Sequence, residues 1–150
     1  MAAGLPEPVL SVNDYTLDYA TPTGPQRALD RVTLAIAPGE VLGLVGESGS
    51  GKSSLAWALM RHLPAGAVES GTLSLNGQNL RNLPRHAIES LRGQRISMVF
   101  QDPSTSLNPT LRLGAQVMEV LVRHRGLSQD QARQETLDLF ERVGLRQPAA

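Results

Sequence analysis

Residues 46–53 read Gly46-Glu47-Ser48-Gly49-Ser50-Gly51-Lys52-Ser53, and this stretch decides the fold class. It matches the pattern G-x-x-x-x-G-K-[ST] at every fixed position. The glycines allow the backbone to curl so that successive N–H groups point inward and form a nest for an anion. A helix predicted to begin at Lys52 adds the positive end of its dipole. The stretch therefore predicts a phosphate-binding loop.

Two side chains of this loop have chemical roles that follow from their types. The Lys52 ammonium can reach the β- and γ-phosphates of a nucleotide, and the Ser53 hydroxyl can bind Mg²⁺. The alternative is an ordinary glycine-rich turn before a helix. At average residue frequencies this pattern would arise by chance in fewer than about one chain in a hundred of this length.

The segments around the loop predict a chain that contains both strands and helices. The predicted strands are residues 9–19, 28–37, 41–45, 71–75 and 96–100, of which the first two form a hairpin. The predicted helices are residues 52–63, 84–91, 113–125 and 129–143. The runs 41–45 and 96–100 are continuously apolar, which is typical of strands that are buried on both faces. Ser128 and Gln131 form a capping box for the last helix.

Composition narrows the class of protein. Of the 150 residues, 41% are hydrophobic and 19% are charged, which is typical of a globular chain. Fourteen basic residues balance fourteen acidic ones, so no basic excess indicates a nucleic-acid surface. The chain has no cysteine, which excludes disulfides and thiolate metal sites. Residues 1–8 are interpreted as a loose leader, and no run approaches the roughly 18 apolar residues of a membrane-spanning helix.

Motifs outside the phosphate loop resemble the ABC ATPase family. They are Pro38-Gly39-Glu40 before the loop strand, the stretch Gly-Thr-Leu-Ser-Leu-Asn-Gly at 71–77, and Ile-Ser-Met-Val-Phe-Gln at 96–101. The continuation at 101–109, Gln-Asp-Pro-Ser-Thr-Ser-Leu-Asn-Pro, resembles the oligopeptide/dipeptide (and nickel) importer branch. The resemblance covers roughly residues 9–145.

This resemblance implies an α/β fold with a P-loop NTPase (RecA-like) core, an N-terminal antiparallel β subdomain and the start of an α-helical subdomain. After the leader 1–8, residues 9–108 would form the β subdomain and the core. Residues 109–150 would begin the helical subdomain. The cofactors implied are ATP and Mg²⁺.

The resemblance also implies roles for single residues. Tyr19 lies where the family places an aromatic side chain that stacks on adenine, although the nearby Tyr15 is an alternative. Gln101 lies where the family's glutamine contacts Mg²⁺ and the attacking water. The implied Mg²⁺ ligands are thus Ser53 and Gln101. The nucleotide would be held by Tyr19, Gly46, Glu47, Ser48, Gly49, Ser50, Gly51, Lys52, Ser53 and Ser54, the last at the α-phosphate.

The implied partners are transmembrane permease subunits and a second nucleotide-binding subunit in a head-to-tail dimer, with no nucleic acid. The implied location is the cytoplasmic face of the plasma (inner) membrane, as a peripheral subunit. The loop after Gln101 and the helix from Leu113 would face the permease. The function expected of a full-length parent is ATP hydrolysis that drives transport, most closely peptide import.

Three parts of the family's hydrolysis machinery do not occur in the sequence: an LSGGQ-type segment, an apolar strand ending in Asp-Glu, and a later switch histidine. The chain is therefore interpreted as an N-terminal part that hydrolyses ATP negligibly alone. The apolar faces of 41–45 and 96–100 should then be poorly covered.

His62, His86 and His124 lack metal-ligand spacing, and Trp57 is expected to pack. The alternatives are a non-catalytic remnant that binds nucleotide weakly, or another P-loop NTPase. The guanine-reading Asn-Lys-x-Asp segment of a GTPase is absent.

Overall fold

A computed structural model describes residues 7–102 and 106–145 of the chain. It contains two compact units, Met1–Arg92 and Gly93–Ala150, and each is described by itself below. The boundaries 1–8, 9–108 and 109–150 expected from the sequence remain a prediction. No described helix is long and apolar enough to cross a membrane.

The first unit is built on a four-stranded sheet in the order β2-β1-β3-β4. Its strands are β1 (Leu10–Thr21), β2 (Gly24–Ile36), β3 (Val68–Leu75) and β4 (Gln78–Asn79), and every adjacent pair is antiparallel. The hairpin predicted from the first two strands is confirmed, with a two-residue turn at Pro22 and Thr23. An antiparallel β subdomain is thus present.

A bulge interrupts the alternation of buried side chains in β1. Leu10, Val12, Tyr15 and Leu17 are buried, so the spacing changes from two residues to three at Asn13 and Asp14. The register shifts at the same place, and Asp14 has a φ of 45°. The neighbouring strand accommodates the bulge with Gly71, where a Cβ would lie 2.6 Å from the Asn13 carbonyl oxygen. A bulge of this kind needs a close backbone approach, which only glycine permits here.

The helices largely confirm the expected positions. They are α1 (Lys52–Leu59), a 3₁₀ turn (Leu80–Asn82), α2 (Arg85–Leu91), α3 (Leu113–Arg125) and α4 (Gln129–Arg142). The helix α1 ends earlier than the predicted residue 63. The reason is that Arg61 adopts a left-handed conformation with a φ of 52°, which a continuing α-helix does not allow.

The predicted strands 41–45 and 96–100 are wrong as hydrogen-bonded strands, because neither belongs to the sheet formed by the described residues. A strand needs a hydrogen-bonding neighbour, and an apolar run predicts burial without supplying one. The expectation that their apolar faces would be poorly covered is confirmed: Val41 is 94% exposed, Val45 91% and Val99 90%.

The second unit contains α3 and α4. The capping box predicted for α4 is confirmed: the Gln131 backbone N–H donates to Ser128 Oγ at 3.3 Å, and the Ser128 N–H donates to Gln131 Oε1 at 3.0 Å. The core residues of this unit are Leu121, Ala132 and Phe140. On α4 the buried residues Ala132, Thr136 and Phe140 recur every four positions, which is the spacing of one helix face.

A cluster of charged residues around Glu69 joins the end of α1 to the sheet. Arg61 donates from both terminal nitrogens to the Glu69 carboxylate, each at 2.7 Å, which is the bidentate geometry of a strong ion pair. The Tyr15 hydroxyl donates to Glu69 Oε2 at 2.6 Å, and Arg81 Nε lies 3.5 Å from Oε1. One carboxylate therefore ties α1, β1 and the 3₁₀ turn to β3.

These contacts control the ionisation of the cluster. Burial by itself would raise the pKa of Glu69, but hydrogen bonds from Arg61 and Tyr15 and the charges of Arg61 and Arg81 outweigh it, so the pKa is lowered. Burial, followed by the hydrogen bond to Glu69, raises the pKa of Tyr15. Glu69 is thus a carboxylate acceptor and Tyr15 a protonated donor.

Replacing Glu69 by alanine should lower the free energy of unfolding by about 3 kcal/mol, because Arg61 and Arg81 would lose the charge that compensates them. The control is Arg85→Ala, which removes the exposed Arg85–Glu89 pair and should cost less than about 0.5 kcal/mol. Urea unfolding of the three proteins measures both values. Equal losses in the two variants would contradict the assignment of Glu69 as a structural centre.

The contribution of Glu69 should also depend on pH. Since its pKa is lowered on folding, its contribution is complete above the ordinary value of 4.5 and is lost as the pH falls through the folded value. We expect the stability difference between the wild type and Glu69→Ala to be constant from pH 6 to 8. It should shrink below about pH 4.5, which urea unfolding at each pH would measure.

Candidate nucleotide-binding site

The phosphate loop ends at the N-terminus of α1, where the helix leaves backbone donors for a ligand. Gly51 is the N-cap residue, and no described side chain accepts a hydrogen bond there. The first N–H groups of a helix have no partner within the helix. With the helix dipole they favour an anion, so the local structure fits a phosphate group.

Gly51 is the position where the loop depends most on glycine. Its φ is 91°, in the left-handed region. A Cβ at this position would lie 2.6 Å from the Ala28 carbonyl oxygen and 2.8 Å from Leu29 Cδ2. The start of α1 therefore lies directly against the backbone of β2, and a side chain would push it away.

Lys52 directs its charge back into the loop. Its Nζ atom donates to the carbonyl oxygens of Gly46 at 2.8 Å and Glu47 at 2.6 Å, and to Ser50 Oγ at 3.1 Å. These contacts hold the ammonium beside the backbone that should surround a phosphate. A positive charge at that point would attract the phosphate oxygens of a nucleotide.

The two serines after Lys52 lie in the first turn of α1. Ser53 is exposed and Ser54 is half-buried. An exposed hydroxyl beside the loop is a suitable Mg²⁺ ligand, because this cation prefers oxygen and retains several waters. Among the described residues, no cluster of three or more histidine or acidic side chains could hold a metal ion.

The structure distinguishes the two candidate tyrosines. Tyr15 is fully buried, and its hydroxyl is bonded to Glu69, so its ring cannot meet a ligand. Tyr19 is half-buried and lines an open cavity of about 420 Å³. The ring that is accessible for stacking is therefore that of Tyr19.

The same cavity contains residues that the sequence did not place in the site. They are Trp57, His62, Leu63 and Pro64. Trp57 was expected to pack, and His62 to be a surface or packing residue. A signal was present in the spacing, because Trp57 follows Ser54 by three residues and therefore lies on the same face of α1.

Gln101 belongs to the second unit and is exposed. It follows residues 97–100, which have no regular secondary structure, and residues 103–105 of the predicted permease-facing loop lie outside the described part of the chain. In the described remainder of this loop, Asn108 accepts a hydrogen bond from Gln116 Nε2 at 3.0 Å. Contact of Gln101 with Mg²⁺ or water stays a prediction.

Two glycine substitutions should separate backbone strain from steric overlap. Gly49 has a φ of 83° and open space around its Cα, whereas Gly51 has a similar φ but contacts β2. Gly49→Ala should cost about 1 kcal/mol from the left-handed conformation alone. Gly51→Ala should cost about 3 kcal/mol and abolish Mg·ATP binding, because overlap adds to the strain. Urea unfolding and calorimetry measure the two effects, and equal behaviour of both variants would contradict the close approach to β2.

Comparison with known proteins gives relatives of one kind. The chain is 43% identical over 145 residues to the oligopeptide transport ATP-binding protein OppD of Salmonella typhimurium, covering 95% of this chain and 43% of that protein. It is 38% identical over 143 residues to the dipeptide transport ATP-binding protein DppD of Escherichia coli, covering 95% and 44%. The chain thus spans less than half the length of these relatives.

Solved structures agree with this grouping. A dimeric ATP-binding cassette in a post-hydrolysis state, bound to ADP and Pi, matches with a TM-score of 0.72 and 25% identity over 88% of this chain and 56% of that chain. The sequence profile of the ABC transporter family matches residues 29–149. This range contains the phosphate loop, α1 and both helices of the second unit, and the chain belongs to the ABC transporter family.

Proposed function

We propose that this chain is the nucleotide-binding part of an ATP-binding subunit in a peptide importer. This proposal rests on the structure at the start of α1. There Gly51 lies against β2, and the first helical N–H groups have no described side-chain acceptor. The Lys52 ammonium lies within the loop. Together they provide donors and positive charge at one point. The names of the relatives support oligopeptides or dipeptides as the transported class.

The nucleotide is ATP with Mg²⁺ in this proposal. Lys52 and the loop backbone hold the phosphates, Ser53 binds the metal, Ser54 contacts the α-phosphate, and Tyr19 stacks on the base. Gln101 completes the metal and water contacts. The metal supplies charge neutralisation for phosphoryl transfer, while the residues of the chain bind and orient the nucleotide.

The proposal extends to assembly. A second nucleotide-binding subunit would pair head-to-tail with this one, and both would act on transmembrane permease subunits from the cytoplasmic side of the inner membrane. The dimeric cassette among the matched structures supports the pairing. Closure of the head-to-tail dimer would drive the permease. ATP binding can provide this energy only if ATP has different affinities for the open and the closed state.

Lys52 offers a direct test, because it is the only lysine in the chain. Lys52→Ala should weaken Mg·ATP binding by at least about tenfold, since charge-assisted hydrogen bonds to phosphate would be lost. Arg85→Ala is the matched control, because it also removes a cation from the first turn of a helix but lies away from the loop. Calorimetry measures both affinities, after circular dichroism has shown that the proteins are folded.

Labelling of the single lysine gives an independent readout. Mg·ATP should protect the Lys52 amine from an amine-reactive reagent, with mass spectrometry of the peptide that contains it as the measurement. A folded chain that shows neither binding nor protection would contradict the proposed function. It would favour the alternative of a remnant that binds nucleotide weakly or not at all.

Hydrolysis should be negligible in the chain by itself. The sequence has no apolar strand ending in Asp-Glu, so no carboxylate is placed to polarise the attacking water. Phosphate release from Mg·ATP should equal that of Lys52→Ala. Turnover well above this control would show that the chain has a hydrolytic group that the family resemblance does not identify.

A further inference from the structure

The open cavity beside α1 has a composition that suits a planar aromatic ligand. Three of its five lining side chains, Tyr19, Trp57 and His62, are flat rings, and the other two, Leu63 and Pro64, are apolar. Trp57 and His62 lie with their ring centroids 5.2 Å apart and their planes tilted by 38°. Aromatic and heteroaromatic faces at such separations attract one another, and they attract a third ring in the same way.

The position of the cavity relates it to the phosphate loop of the same unit. Trp57 follows Ser54 by three residues of α1, which is about 4.5 Å along the helix axis. Residues three apart lie on the same face of a helix. A nucleotide whose phosphates are held at the start of α1 can therefore extend along this face towards Trp57. Tyr19, which also lines the cavity, belongs to β1.

The charges of the lining also favour a neutral ring over other ligands. None of the five lining residues is acidic, and none is an arginine or a lysine. A peptide carboxylate, a phosphate or a metal ion would find only the single imidazole of His62 in this lining. A nucleobase needs an aromatic face on which to stack, and the side chains of this cavity provide one. It also needs a cavity that can be reached from the phosphate site.

We propose that Trp57 and His62 line the base site together with Tyr19, so that the base of the nucleotide lies in an aromatic slot. This inference rests on the proposed function, because the phosphates must first be held by the loop. It goes beyond that function in assigning base recognition to α1 and to the residues that follow it. Trp57 and His62 are then base-binding residues, and they take no part in phosphoryl transfer.

Trp57 is also the only tryptophan in the chain, so its fluorescence reports on this cavity alone. The experiment titrates the full 150-residue chain with Mg·ATP and, separately, with Mg·tripolyphosphate, which has the phosphates but no base. Calorimetry gives both affinities, and tryptophan emission is followed in parallel. We expect Mg·ATP to change the emission with a saturable curve, whereas tripolyphosphate binds without this change.

Substitutions of His62 and Trp57 test whether these two side chains bind the base. His62→Ala should weaken Mg·ATP binding by about tenfold, which is the usual effect of removing a stacking partner. It should leave tripolyphosphate binding within about twofold. His86→Ala is the matched control, because His86 is exposed on α2 and does not line the cavity. Trp57→Leu should show the same selective loss, and circular dichroism would show whether it remains folded.

The outcomes distinguish this inference from the function on which it rests. If neither ligand binds, the phosphate site is wrong, and the base site is overturned with it. If both ligands bind, but emission does not respond to ATP and His62→Ala binds ATP like the wild type, the base lies elsewhere and only the aromatic slot is wrong. A selective loss of ATP affinity together with an ATP-specific change in emission would establish the slot.

Discussion

The contact between Gly51 and the backbone of β2 is the constraint on which the rest of the site depends. The Ala28 carbonyl oxygen leaves no room for a Cβ at the N-cap of α1. The first turn of the helix is therefore pressed against the sheet. The loop before it must reverse direction over a few residues, which requires the left-handed conformations of Gly49 and Gly51. The position of Lys52 follows, because the lysine is the first residue of that helix.

The opposite end of α1 is held by charge. Arg61 ends the helix and pairs with Glu69 of β3, while Arg92 donates from Nε to the Met60 carbonyl oxygen at 2.9 Å and from Nη2 to that of Arg61 at 2.8 Å. Guanidinium donors at a helix C-terminus satisfy carbonyl groups that have no partner in the helix. A helix of eight residues is too short to be stable alone. Its two ends are instead fixed by contacts with other parts of the first unit, so the end of the phosphate loop and Trp57 are carried on one element.

The sequence predicted the parts of this arrangement that depend on local chemistry. The hairpin, the phosphate loop, the start of α1 and the capping box of α4 follow from turn residues, glycine spacing and caps, and the structure has them where they were expected. The runs 41–45 and 96–100 were wrongly predicted as strands, because pairing depends on a neighbour that the run itself does not encode. The length of α1 was overestimated because no local rule foresees a left-handed arginine.

The other contacts that the sequence did not predict join residues that are distant in the sequence. Tyr15 and Glu69 are 54 positions apart, and their hydrogen bond can be known only from the strand pairing that brings β1 beside β3. By residue type alone Tyr15 and Tyr19 are both aromatic β-formers, and only the family resemblance favours Tyr19. Tyr15 is buried within this cluster, so Tyr19 is the accessible ring of the two. The identity of the ring that can meet a nucleotide is thus a consequence of an ion cluster elsewhere in the sheet.

The local motif and the long-range contacts correspond to the recognition of two different parts of a nucleotide, the phosphates and the base. A phosphate is bound by backbone N–H groups, which every residue except proline supplies, so its site is specified by glycines that shape the chain and is visible as a short motif. A base is bound by side-chain faces, which may come from any element that the fold brings near, so its site has no fixed spacing. In this chain Tyr19 comes from β1 and Trp57 from α1, and the two belong to one cavity only after α1 is fixed at both ends. The proposed aromatic slot would therefore depend on Gly51 and Glu69, although neither lines its cavity.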